Sequence, residues 1–146
     1  MQDSDLIAAA AMALGDYAFT GIEAFRAGQG RDSAAPALSH LCFKFRDHAA
    51  YESAIAAARV VGTVTQKDFK GKQITWCRLH QPIPADDLRL EWLELVQPAD
   101  TPHTDNGITA VGYAVAGLAD VVKIPSPDGR VIFRYQSHHA AELARA

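Results

Sequence analysis

Residues 37–46 read ALSHLCFKFR. Leu41, Phe43 and Phe45 make one apolar face, and His40, Cys42 and Lys44 make a mixed face. Alternation of this kind predicts a strand with one side in a core and the other side free for another task. Next in the chain, Asp47 is a plausible N-cap for a helix over 48–59. Tyr51, Ile55 and Ala58 form its inner face, and Gly62 punctuates its end. Residues 63–69 and 72–80 read as a hairpin around Lys70–Gly71, and 81–87 (QPIPADD) as a loop. Residues 88–97 read as a fourth strand, with Leu90, Trp92, Glu94 and Val96 on one side. The order over 37–97 is therefore β-α-β-β-β.

Upstream, residues 4–27 read as one or two helices, with Gly15 as a candidate break and Asp16 as a cap for the second piece. Gly28–Pro36 is a linker rich in Gly, Ser and Ala. Downstream, a polar loop over 98–107 leads to a strand at 108–115 and a weak segment at 116–125. A Pro-Asp-Gly turn at 127–129, a strand at 130–136 and a short helix at 138–145 follow. The stretch 107–146 begins as 37–97 does but has no room for all of its parts, so it reads as a contracted repeat. The chain is expected to be one α+β domain: an N-terminal helical segment and linker over 1–36, a first module over 37–97 and a contracted second module over 107–146.

Composition narrows the function classes. A chain of 146 residues fits one domain with a real core. Fourteen basic against seventeen acidic residues, with no basic cluster, argue against nucleic acid as a partner. No apolar run approaches the roughly 18 residues that span a bilayer, so no membrane partner is expected. Leu6–Leu14 is preceded by Asp3 and Asp5 without Lys or Arg, so a helix is expected there in preference to a secretory leader. Cys42 and Cys77 are expected to be free thiols in a cytoplasmic protein, with a single disulfide as the alternative. No nucleophile elbow and no phosphate-cradling glycine loop are present.

The stretches LSHLCFKFR (38–46), GKQITWCRLHQP (71–82), LEWLELVQP (90–98), PHTDNG (102–107) and DGRVIFRYQSHHAAEL (129–143) resemble the YecM-like family. That family is similar to the vicinal oxygen chelate superfamily, which includes glyoxalase and bleomycin-resistance proteins. The resemblance implies two βαβββ modules joined into a curved, cup-like mixed sheet. It also implies a divalent metal held by a His on the first strand and a Glu on the last strand of each module. In this chain the first pair is His40 and Glu94. The second His position is Ala110, and the second Glu position is Phe133, or Arg134 with a one-residue slip.

On their own chemistry, an imidazole and a carboxylate on adjacent strands suit Zn, Fe, Mn or Ni. Two protein ligands are fewer than a catalytic zinc usually has. His80 and His103 are candidates for a further ligand; a strand-end or loop His bonding backbone is the alternative for each. His138 and His139 are neighbours in sequence and read as surface residues unrelated to the cup. Trp76, Arg78 and His80 share one face of the third strand, and Trp92 and Glu94 one face of the fourth. If those faces line the cup, Trp76, Trp92 and Arg78 bind a ligand, with Arg78 forked onto a carboxylate or phosphate. The alternative for Arg78 is an ion pair with Glu94. Ala110, Gly112 and Ala114 leave space for a ligand or a second subunit.

These readings lead to three expectations. The first is a metal-dependent isomerase, lyase or dioxygenase acting on a small oxygen-rich acid. The second is a metal-free protein that binds or sequesters a small anionic ligand. The third is an interaction module that forms a homodimer.

Overall fold

The computed structural model describes residues 2–30, 34–98 and 106–145. Its element order is α1 (Asp3–Gln29), β1 (Ala37–Lys44), α2 (His48–Val61), β2 (Gly62–Phe69), β3 (Lys72–Ala85), β4 (Leu88–Val96), β5 (Gly107–Ala114), β6 (Val122–Pro125), β7 (Ile132–Gln136) and α3 (Ala140–Arg145). The seven strands form one curved, unclosed mixed sheet in the order β2-β3-β4-β1-β5-β7-β6. The α+β class expected from the sequence is therefore the observed one.

The sheet is built from two related halves. In the first, β1 runs parallel to β4, and α2 carries the chain out to the far edge at β2. In the second, β5 runs parallel to β7, and β6 takes the far edge. β1 and β5 meet antiparallel at the centre. The second half has three strands where the first has four, and residues 116–121 form irregular turns where the first has α2.

A sheet half without its helix leaves an apolar face uncovered, and α1 covers it. Leu6, Ala10, Leu14, Ala18 and Phe25 of α1 are buried at helical spacing. Tyr113 of β5 donates its hydroxyl to the Ala18 carbonyl at 2.6 Å, and Tyr135 of β7 donates to the Gly21 carbonyl. Phe25 packs on Tyr135 with ring centroids 4.7 Å apart. Tyr17 adds a bond from its hydroxyl to Asp128 in the turn before β7, at 2.7 Å. α2 covers the other half, where Tyr51, Ala54, Ile55 and Ala58 are buried. The Asp47 side chain accepts from the Ala50 N–H at 2.8 Å, the N-cap its position predicts.

Some expectations are corrected. α1 is one uninterrupted helix: Gly15 sits on an open face, where an added Cβ would meet nothing within 4 Å. Averaged over 18 residues, α1 has a mean hydropathy of 1.2, so one described helix is long and apolar enough to cross a membrane. In the fold its apolar face lies on β5 and β7. The QPIPADD stretch is not a loop. β3 runs on to Ala85 and pairs Ile83 with Leu90 and Pro84 with Arg89, with Asp86–Asp87 as the turn. Cys42 and Cys77 are both free, and no disulfide can join them across the sheet. Cys77 belongs to the helix-side core, with its thiol 3.5 Å from the Ala58 carbonyl, whereas Cys42 lines the cavity on the opposite face.

Two glycines of α1 make opposite predictions. A Cβ on Gly21 would lie 2.6 Å from ring carbons of Tyr113. That ring is fully buried and stacked on Tyr135 at 5.2 Å, so it has nowhere to go. Overpacking of this kind costs roughly 1–3 kcal/mol or more, which outweighs the ~1 kcal/mol helix-propensity gain of alanine. Gly21→Ala is therefore expected to lower stability, and Gly15→Ala to raise it by up to about 1 kcal/mol. Urea unfolding of the two variants checks both signs.

Candidate functional site

The sheet face turned away from α1 and α2 lines a cavity of about 540 Å³. Its floor follows from strand register. Cys42 on β1 sits opposite Glu94 on β4, and Glu94 opposite Trp76 on β3. His40 on β1 sits opposite Gly112 on β5, and Gly112 opposite Arg134 on β7. One row thus carries Trp76, Glu94 and Cys42, and the adjoining row carries His40, a glycine and Arg134. The missing side chain at Gly112 is what admits the His40 ring: a Cβ there would lie 2.6 Å from Nδ1 and 2.7 Å from Nε2.

His40 and Glu94 come together as their strands predict, with Nε2 3.8 Å from Oε1. His40 is 3% exposed. Burial, then the Arg134 and His139 charges, push its pKa down to about 3, so the ring is neutral. It packs T-shaped against Trp76, with ring centroids 5.1 Å apart. Glu94 is raised above the usual carboxylate range by burial, against the opposing pull of the Cys42 thiol and Arg134. Burial and the Glu94 carboxylate hold Cys42 far up in its thiol form, which makes it a donor to Glu94 and not a nucleophile.

Arg134 also lines the cavity, and its Nε is buried with no hydrogen-bond partner among the described residues. A buried guanidinium donor without a partner is costly and uncommon. Trp76, Ile74, Val96 and Leu143 supply apolar walls, and Lys67, Asp68, Phe69 and Lys72 line it from the end of the β2–β3 hairpin.

The remaining candidates lie elsewhere. Trp92 does not line the cavity. It packs edge to face with Trp76 at 6.4 Å and sits in a small cluster with Ala140 and Ala144 of α3. Arg78 is exposed, with its guanidinium carbon 5.9 Å over the Trp92 ring. It faces Trp92 in register, one pair away from Glu94, so the Arg78–Glu94 ion pair does not form. His80 leaves the cup because the β3–β4 register shifts between Arg78 and Ile83. It lines a separate hollow of about 290 Å³ with Ile7, Val60 and Val61, on the helix side. His103 lies outside the described residues.

Cys42, Arg134 and the C-terminal helix join the site beyond the ligand-binding and metal-ligating candidates of the sequence. Cys42 was legible as a face-mate of His40 by simple alternation. In the sequence Arg134 stands out only as a displaced Glu position, yet it and not Phe133 lines the cavity; Phe133 is fully buried in the core. The C-terminal helix is part of the cup after all. Leu143 is in the cavity wall, His139 acts on His40 electrostatically, and the Ala140 N–H donates to Ser39 Oγ at 2.8 Å.

Metal fit follows from this donor set. Among the described residues no group of three His, Cys, Asp or Glu side chains converges as a metal site. His40 and Glu94 give two donors, and the fixed positive charge of Arg134 acts on both. Among the described residues, two donors facing a guanidinium fall short of the three protein ligands a catalytic zinc usually has.

No family model matches the chain, and no curated protein matches it. Two solved structures align with it. A structural-genomics protein, EC4020, superposes with a TM-score of 0.63 at 14% identity, covering 75% of this chain and 76% of that one. A triple mutant of 4-hydroxymandelate synthase from Streptomyces coelicolor aligns with a TM-score of 0.41 at 11% identity, covering 81% of this chain and 54% of that one. The first shows a common fold and says nothing of activity.

Proposed function

We propose that this chain is a small-molecule-binding protein of the vicinal oxygen chelate type, with a contracted second module, whose cup holds a small oxygen-rich organic acid without a resident metal. The YecM-like stretches and the two halves meeting at β1 and β5 support the family reading. The observation that carries the ligand reading is Arg134. Arg134 lines a cavity with indole and aliphatic walls, and its buried Nε has no hydrogen-bond partner among the described residues. A carboxylate gives that guanidinium the charged acceptor it lacks, in surroundings that strengthen the bond. The apolar walls take the body of the acid.

The 3.8 Å approach of His40 to Glu94 is the observation that favours the second reading, a divalent cation on that pair. The two readings separate cleanly in experiment. Trp76 borders the cavity, so its fluorescence reports occupancy. Titration with small carboxylic acids is expected to give saturable quenching or enhancement, and Arg134→Met is expected to weaken affinity by about tenfold or more. A wild-type spectrum that responds to Zn, Mn, Fe or Ni and not to acids would reject the acid reading.

A further inference from the structure

The polarity of the His40–Glu94 pair is set from behind. The Ala140 N–H donates to Ser39 Oγ at 2.8 Å, and Ser39 Oγ lies 2.9 Å from His40 Nδ1. Among the described residues no other acceptor lies within reach of this buried hydroxyl, so it directs its one hydrogen to Nδ1 and keeps its lone pairs for the Ala140 N–H. Nδ1 is then an acceptor, and the proton of the neutral ring sits on Nε2. Nε2 is the atom facing Glu94 Oε1, and at 3.8 Å the two are too far apart for a direct hydrogen bond. The cavity therefore presents one donor and one acceptor side by side, with Arg134 in the same lining.

We infer that this pair reads the hydroxyl of a 2-hydroxy acid whose carboxylate lies on Arg134. The inference deepens the acid-binding reading above and rests on it. A hydroxyl can accept from His40 Nε2–H and donate to Glu94 at once. A 2-oxo group only accepts, and its lone pairs oppose the Glu94 carboxylate. A plain methylene leaves both protein groups unsatisfied in a buried site. Ser39 is a positioning residue: it fixes which ring nitrogen carries the proton.

Three acids test this with one ring and one carboxylate held constant: 3-phenyllactate (each enantiomer), phenylpyruvate and 3-phenylpropionate. One phenyllactate enantiomer is expected to bind at least about tenfold more tightly than the other two acids. Glu94→Gln supplies an amide N–H that can donate to a keto oxygen. It is expected to cut the preference for phenyllactate over phenylpyruvate by about tenfold and leave 3-phenylpropionate within a few-fold of wild type. Ser39→Ala is expected to lose the same preference, and Ser39→Thr to restore it; a merely structural role would weaken all three acids equally. Affinities of the three acids within about threefold of one another in the wild type would overturn the inference and leave the acid reading standing. No binding of any of them, or binding indifferent to Arg134→Met, would overturn both.

Discussion

Between pH 7 and pH 4 the wild-type protein is expected to lose roughly 3 kcal/mol of stability that a His40→Gln variant does not lose. The sign follows from linkage. His40 has a folded-state pKa of about 3 against 6.5 for the free side chain, because burial and then the Arg134 and His139 charges disfavour its cation. In that window the unfolded chain binds a proton that the folded chain refuses. The contribution of His40 is thus present above pH 6.5 and is lost progressively as pH falls toward 3. Glu94 acts in the opposite sense. Its folded pKa is raised by burial, so its contribution is intact at low pH and is lost as pH rises through the raised value. Both variants keep Glu94 and the other carboxylates, so the difference between their urea midpoints across pH isolates the imidazole. Parallel curves for wild type and His40→Gln would mean that His40 is not held neutral in a closed site.

The second large effect is at the glycine that makes the site possible. Gly112→Ala is expected to cost about 2–4 kcal/mol, because its Cβ would stand inside contact distance of the His40 ring. The ring cannot retreat easily, since it is held by Ser39 Oγ on one side and by Trp76 on another. The cause can be separated from any generic intolerance of the strand. In a His40→Ala background the obstruction is gone, and Gly112→Ala is expected to cost less than about 1 kcal/mol. A double-mutant cycle on urea unfolding therefore gives a coupling of at least about 1–2 kcal/mol between positions 40 and 112. Additive costs would show that Gly112 serves some other purpose.

These two residues also mark how far the sequence could be read. His40 was legible because His40, Cys42 and Lys44 alternate with Leu41, Phe43 and Phe45, and its neighbour Glu94 because β1 and β4 pair as a β-α-β-β-β order requires. The same local rule placed Cys42 on the cup face. Arg134 was harder. Its facing depends on the parallel pairing of β5 and β7 and on a glycine between it and His40, and neither is encoded near residue 134. His80 was placed in the cup because alternation along β3 was carried through a point where the register shifts. Trp92 and Arg78 were placed there because nothing local says that α3 folds back over that part of the sheet. The N-terminal helix shows the same limit. Its apolar face was plain, but that it lies on β5 and β7 follows only from the buried hydroxyls of Tyr113 and Tyr135. Local periodicity was readable throughout, and long-range pairing was readable only where a repeated module supplied it.

A crystal grown with both a zinc salt and 3-phenyllactate brings the competing readings to one cavity. The expected result is the ligand carboxylate on the Arg134 guanidinium at about 3 Å, its hydroxyl between His40 and Glu94, and no cation on that pair. A zinc ion bridging His40 and Glu94, with Arg134 turned away from the ligand, would contradict it.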